Sequence, residues 1–231
     1  MHKIIGILGG MSPESTVAYY QYITRTYTER HGDFGYPEIL IYSVSFQTYV
    51  DWPRQGRWDL VALGLSQAAR VLQDAGAEVL LIATNTMHIV FDQVAASVDV
   101  PMLSLLDAVA AEVRRRDIET VGLLGTASTM EHTFYPEALA EKGIAVLVPK
   151  REDRRLVHDV IYQELVAGLV RNPSRDAFIR IIDELKARGA QGVILGCTEI
   201  PLLVTQEDAP LPLFDTTTIH ADAALRHAVQ T

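Results

Sequence analysis

The sequence predicts an α/β protein made of two similar halves, and three observations carry that reading. Short apolar runs ending in glycine or small polar residues alternate with longer segments of helical periodicity. The order of these segments occurs twice along the 231 residues. Three landmarks then recur in order, about 113 positions apart: Gly9-Gly10 with Gly125-Thr126, Thr84-Asn85-Thr86 with Cys197-Thr198-Glu199, and Val100-Pro101-Met102-Leu103 with Leu211-Pro212-Leu213-Phe214. The expected domains are residues 1–103, with a C-terminal helix from 216–231 returning to pack on them, and residues 104–215.

Taken in order, Lys3 to Leu8 is a β-branched apolar strand running into Gly9-Gly10, and a helix follows from about Ser12 to Arg30. Pro13 and Glu14 suit the first turn of that helix, where a missing N–H costs nothing and negative charge is favoured. Glu38 to Val44 reads as a strand. Trp58 to Ala75 has helical apolar spacing and stops at Gly76, and Glu78 to Ala83 is a strand entering Thr84-Asn85-Thr86-Met87-His88. The second half repeats the series with a strand at Thr120 to Leu124, a helix around Met130 to Lys142 and a strand at Ile144 to Val148. A long helical stretch to Gly189 and a strand at Gly192 to Leu195 complete it. In parallel sheets ligands bind beyond the carboxyl ends of the strands, so Thr84 and Cys197 are expected to face one cleft.

Composition narrows the function. Apolar residues make up 48% and charged ones 21%, the balance of a globular protein. A formal charge of −9 argues against nucleic acid or an anionic membrane as partner, since binding polyphosphate needs clustered Lys and Arg. No run approaches the roughly eighteen apolar residues of a membrane span, and MHKIIGILGG has no signal-peptide pattern, so a cytoplasmic protein acting on small molecules is expected. The seven histidines and one cysteine form no metal-binding grouping, and neither the G-x-G-x-x-G spacing nor a G-K-[ST] loop occurs. Neither a metal nor a nucleotide cofactor is expected.

The chemistry concentrates in the repeated landmarks. Cys197 is either a small buried residue at a strand end or a reactive thiol whose pKa is lowered by helix N-terminal N–H groups. Thr84 occupies the duplicate position, where its hydroxyl serves either a turn or a second side of a substrate. Asn85, Thr86 and Thr198 can cap the following helices or donate to a carboxylate, and Thr126 and Thr129 have the same character. Gly9, Gly10, Ser12 and Ser15 form a turn suited to an anion at a helix start, matched by Gly125, Thr126, Ser128 and Thr129. His88 either tunes the site or bonds a local acceptor, and the basic run from Lys150 to Arg155 reads as a solvated face.

The segments Gly6 to Thr16, Thr84 to His88 and Gly196 to Glu199 together resemble the aspartate/glutamate racemase superfamily, over essentially the whole chain. The resemblance implies two Rossmann-like α/β domains, a homodimer, and racemisation without pyridoxal phosphate or any other cofactor. In that family a cysteine from each domain flanks the substrate Cα; here the first is Thr84 and the second Cys197, which is similar to the threonine/cysteine subgroup acting on L-aspartate and L-glutamate. Cys197 and Thr84 are then the implied catalytic pair. Met11, Ser12 and Gln47 join Asn85, Thr86, Thr126, Thr129, Thr198 and Glu199 as the implied substrate-binding set. Side-chain recognition departs from the aspartate racemases, whose arginine and lysine regions read Ser45-Phe46-Gln47-Thr48-Tyr49 and Glu164-Leu165-Val166-Ala167 here. Two other readings follow from a lone thiol and an intact cleft: a single-cysteine enzyme isomerising maleate or decarboxylating a malonate, and an amino-acid-binding protein of weakened activity.

Overall fold

The computed structural model of the chain describes residues 2–229. The chain folds as two compact units, the first running to Ala108 and resuming at Thr217, the second spanning Val109–Thr216.

The first unit contains β1 (Ile5–Gly9), α1 (Pro13–His31), β2 (Ile39–Ser43), α2 (Phe46–Arg54), α3 (Trp58–Asp74), β3 (Val79–Ile82), a 3-10 turn at Thr86–Val90, α4 (Phe91–Ala95) and β4 (Met102–Leu103). Its sheet has the order β2-β1-β3-β4 and is parallel throughout. A parallel sheet carries helices on both faces, and alternate residues of each strand serve opposite ones. Leu8, Leu80 and Ile82 pack with Val61, Leu65, Ala69 and Leu72 of α3. On the other face Ile5, Ile7, Val79 and Leu81 meet Tyr19, Ile23 and Tyr27 of α1, together with Ala221, Ala224, Leu225 and Ala228 of the C-terminal helix α11 (Thr216–Val229).

Helix α5 (Leu105–Arg115) carries the chain into the second unit. There β5 (Thr120–Gly125), α6 (Ala127–Glu131), α7 (Phe134–Ala140), β6 (Ala145–Leu147), α8 (Arg151–Gln163), a 3-10 turn at Leu165–Ala167, α9 (Asn172–Ala187), β7 (Gly192–Gly196), α10 (Ile200–Leu203) and β8 (Leu213–Asp215) follow. The sheet order is β6-β5-β7-β8, again wholly parallel. The repeat inferred from landmarks is therefore a repeat of topology: β1 corresponds to β5 and β3 to β7.

Several expected elements differ in detail. The helix expected over Met130 to Lys142 is two short ones, α6 and α7, parted at His132 and Thr133, where the backbone leaves the helical path at His132. The long helical stretch before Gly189 is α8 and α9, separated where Gly168 takes a left-handed φ of 73° and where Pro173 restarts a helix. The segments containing Val100-Pro101 and Leu211-Pro212 each supply a fourth strand, too short for periodicity to reveal. Helix α2 also escapes a sequence reading, because Pro53 sits inside its last turn.

Gly10 shows how tightly the strand end is built. It has a φ of 89°, and a side chain there would place a Cβ 2.5 Å from the Val44 carbonyl oxygen. The anchoring of α11 is open to measurement. Leu225 is buried among the strand residues of the first unit, and Leu225→Ala is expected to destabilise the protein by about 2–5 kcal/mol through lost burial and the cavity left behind. Urea denaturation followed by far-UV circular dichroism checks it; an unchanged midpoint would mean that α11 is not part of that core.

Candidate active site

Every implied site residue follows the carboxyl end of a strand. In the first unit the end of β1 passes through Met11 to Ser12, which caps α1: its Oγ accepts from the Ser15 N–H at 3.3 Å. The Gly10 N–H donates to Thr16 Oγ1 at 2.8 Å, and that hydroxyl donates to the Ser12 carbonyl at 3.1 Å. Ser15 is buried and its hydroxyl donates to the Ala83 carbonyl at 2.7 Å, fastening α1 to the end of β3. The anion-turn expectation for Ser15 is thus corrected, because its N–H donates to Ser12 Oγ and its hydroxyl proton to the neighbouring strand. The side chain of Met11 is buried in the core with Leu8 and Tyr49, which leaves its backbone as the part able to serve a ligand.

Thr84 follows β3 after Ala83 and is half-buried; Asn85 is buried and Thr86 half-buried in the turn beyond it. His88 is the pivot of this turn. Its Nδ1 lies 2.8 Å from the Thr84 carbonyl, and the Leu105 N–H donates to its Nε2 at 3.0 Å. His220 of α11 is similarly occupied, with Nε2 2.9 Å from the Leu103 carbonyl and Nδ1 2.9 Å from the Tyr19 hydroxyl. Burial pushes His88 down to about 4 and, with the charge of His88, pushes His220 down to about 3. Both rings are neutral at ordinary pH. The pairing of Tyr19 with His220 joins positions 201 residues apart, and no pattern in the sequence announces it. Gln47, on α2 beyond the end of β2, is exposed and donates its amide to Asp51 Oδ1 at 2.8 Å.

In the second unit Gly125 of β5 pairs with Gly196 of β7, so Thr126 and Cys197 leave the sheet side by side. Thr126 caps α6 by accepting from the Thr129 N–H at 3.4 Å, and the two threonine hydroxyls lie 3.2 Å apart. Thr129 has no exposed surface, and its side chain packs on both glycines. Its implied role as a direct ligand contact is corrected accordingly: it wedges the two strand ends and holds Thr126.

Cys197, the one cysteine of the chain, donates from Sγ to Glu199 Oε2 at 2.8 Å, and the Thr198 hydroxyl donates to the same oxygen at 2.9 Å. The expectation of a lowered thiol pKa is overturned. Burial, then the negative charge of Glu199 and its hydrogen bond, push the thiol well above its ordinary value, outweighing the Glu199 and Thr198 backbone bonds that pull it down. Helix α10 spans only Ile200–Leu203, too short to supply much dipole. Cys197 is therefore a protonated thiol hydrogen-bonded to the Glu199 carboxyl group.

The basic run from Lys150 turns to carboxylates. Lys150 meets Glu184 at 2.6 Å, Arg154 meets Glu131 at 3.3 Å and Arg155 meets Asp159 at 3.8 Å. Among the described residues no cluster of His, Cys, Asp and Glu could hold a metal ion, and no helix is long and apolar enough to cross a membrane.

Two parallel four-stranded α/β units, with a thiol–carboxylate pair beyond one sheet and a threonine turn beyond the other, match the two-domain architecture of the Asp/Glu racemases. The chain belongs to the Asp/Glu/Hydantoin racemase family, whose pattern it matches over residues 8–224, and it is an isomerase of that family. Its fold is similar to that of a Yersinia pestis protein provisionally designated an Asp/Glu racemase, with 46% identity, a TM-score of 0.94 and coverage of 99% of this chain and 100% of that one. An aspartate racemase homologue from Pyrococcus horikoshii OT3 is 39% identical with a TM-score of 0.87, covering the whole of both chains. The broad specificity amino-acid racemase RacX of Bacillus subtilis (strain 168) is 23% identical over 222 residues, 92% of each chain.

The thiol–carboxylate pair makes a direct prediction. Glu199→Gln removes the charge and the strong acceptor that hold the proton on sulfur, so the Cys197 thiolate is expected to form at lower pH than in the unsubstituted protein. The rate of iodoacetamide alkylation against pH, read on a protein with one cysteine, gives the midpoint; a midpoint that stays put or rises would contradict the assignment.

Proposed function

We propose that the protein interconverts L- and D-amino acids, aspartate and glutamate first among them, by removing and returning the Cα proton without a cofactor. The observation that carries this reading is topological: Thr84 follows β3 and Cys197 follows β7, the same strand of two sheets with the same order. Two-base racemisation needs a proton acceptor and a proton donor on opposite faces of one carbon, and a duplicated fold supplies two equivalent positions for them.

In the forward sense the Cys197 thiol passes its proton to Glu199, 2.8 Å away, and the resulting thiolate takes the Cα proton. The electron pair left on Cα spreads into the substrate carboxylate, where donors from Ser12, Asn85, Thr86 and Thr126 offset its charge, the Thr198 hydroxyl being given to Glu199. The Thr84 hydroxyl then gives its proton to Cα and regains one from solvent, while Glu199 releases to solvent the proton it took from sulfur, so every group ends as it began. A raised thiol pKa helps this cycle, because the sulfur becomes a stronger base once deprotonated and the proton leaves it only when Glu199 accepts. Thr84 is the weaker partner, since an unassisted alcohol ionises far above a thiol.

The reading is tested by incubating aspartate, glutamate and a panel of other amino acids in heavy water, following inversion and Cα deuterium together. Cys197→Ala is expected to lower both on the order of 10³-fold or more. Thr84→Ala is expected to stop inversion while one enantiomer still exchanges its Cα hydrogen through Cys197. Full activity in Cys197→Ala would remove the thiol from the mechanism, and turnover of maleate or an arylmalonate with no amino-acid inversion would favour the single-cysteine alternative.

A homodimer is part of the same proposal. It is supported by β2, an edge strand with exposed Ile41 and Tyr42, and by exposed Val17 and Tyr20 on the adjacent α1. Light scattering coupled to size exclusion is expected to give twice the chain mass; a monomer at micromolar concentration would refute it.

A further inference from the structure

The direction of the Thr84 side chain is set by the two peptide planes on either side of its Cα, because these planes fix φ and ψ. Strand β3 ends at Ile82, so the sheet ladder no longer holds either plane. The Thr84 N–H donates to the Ile82 carbonyl at 2.9 Å, and side chains hold the two carbonyls. The plane before Thr84 is held at its carbonyl by the Ser15 hydroxyl, 2.7 Å from the Ala83 oxygen. The plane after it is held at its carbonyl by His88 Nδ1, 2.8 Å from the Thr84 oxygen.

The chemistry of His88 is fixed by its partners. The Leu105 N–H can only donate, so Nε2 must carry a lone pair. A neutral imidazole then bears its hydrogen on Nδ1, and the Thr84 carbonyl can only accept. His220 is the opposite case: the Leu103 carbonyl requires hydrogen on Nε2, leaving Nδ1 to accept from the Tyr19 hydroxyl. The two rings stand edge to face with centroids 5.8 Å apart, and Phe91 stacks on His88 at 5.3 Å. His88 is thereby held in place by the segment that follows β4, by α4 and by α11, and that rigidity reaches the Thr84 carbonyl through the Nδ1 bond, beside the bond from the His88 N–H to the Asn85 carbonyl at 3.0 Å.

We propose that His88 is the positioning residue of Thr84, acting as a neutral imidazole in the Nδ1–H form that locks the Thr84 peptide and so aims its hydroxyl. This rests on the reading of Thr84 as the proton donor given above. His88 touches no reacting atom; it acts through the backbone it holds.

Two substitutions separate positioning from bulk stability, since the amide of Asn reaches the place of Nδ1 and that of Gln the place of Nε2. His88→Asn retains a donor to the Thr84 carbonyl and is expected to keep kcat within about threefold, whereas His88→Gln loses that donor and is expected to lower kcat on the order of tenfold or more with KM within about twofold. Equal losses in both variants, following their melting temperatures, would overturn the proposal. Ring-nitrogen NMR of the full chain labelled in histidine supplies a readout independent of turnover. One buried ring with hydrogen on Nδ1 and a bare Nε2, unchanged from about pH 8 to about pH 5, is expected; an Nε2–H or cationic His88 would overturn the proposal even if His88→Gln fails to fold. Should the unsubstituted protein invert no amino acid, the functional reading falls by itself. The positioning claim is then decided by the Thr84 amide resonance, which supports it by moving in His88→Gln alone and refutes it by moving in both variants or neither.

Discussion

The parallel sheet is the constraint from which the rest follows. Parallel neighbours require a crossover between every pair of strands, so all strands of a unit point the same way and all their carboxyl ends open at one edge. The faces are closed by α1, α3 and α11 in the first unit, which leaves that edge as the place where polar groups can gather without being sealed in apolar packing. Ser12, Thr84 and Thr86 collect at one such edge, Thr126, Cys197 and Thr198 at the other. The chemistry is therefore a consequence of strand direction before it is a consequence of any single residue.

Much of this was legible in the chain itself. The apolar runs predict the long strands because each is buried on both faces, and the landmarks reveal the repeat because turns at strand ends tolerate little variation in spacing. What escaped the sequence was of two kinds. Short elements such as β4 and β8 have too few residues to show a period, and the break between α6 and α7 depends on backbone geometry at His132 that no residue type dictates. Polar contacts were harder still. That Thr129 is a buried wedge and Ser15 a tie between helix and strand depends on what packs beside them. A rule of thumb about helix termini misjudged Cys197 because the nearest charge is a carboxylate, and its proximity outweighs the few N–H groups of a one-turn helix.

A thiol whose proton is held by a neighbouring carboxylate differs from one activated by a cation. A cation lowers the pKa and produces abundant but weakly basic thiolate; a carboxylate keeps the thiolate scarce and strongly basic. For taking a proton from carbon, basicity at the moment of transfer matters more than the resting population of the ionised form. The same arrangement protects the chain, since a thiol that stays protonated is slow to oxidise. On the threonine side the proposed cycle turns on aim, which the neutral histidine pair would supply with hydrogen bonds alone.

The C-terminal helix has a bearing on biogenesis. Ile5, Ile7, Tyr19 and Ile23 emerge early from the ribosome, yet Ala221, Ala224, Leu225 and Ala228, which cover them, are made after every strand of the second unit. During synthesis the second unit can close first, while the nascent first sheet waits with one greasy flank open to water or to a chaperone. Translation that stops short of α11 would release a chain whose earliest-made segment has never been covered.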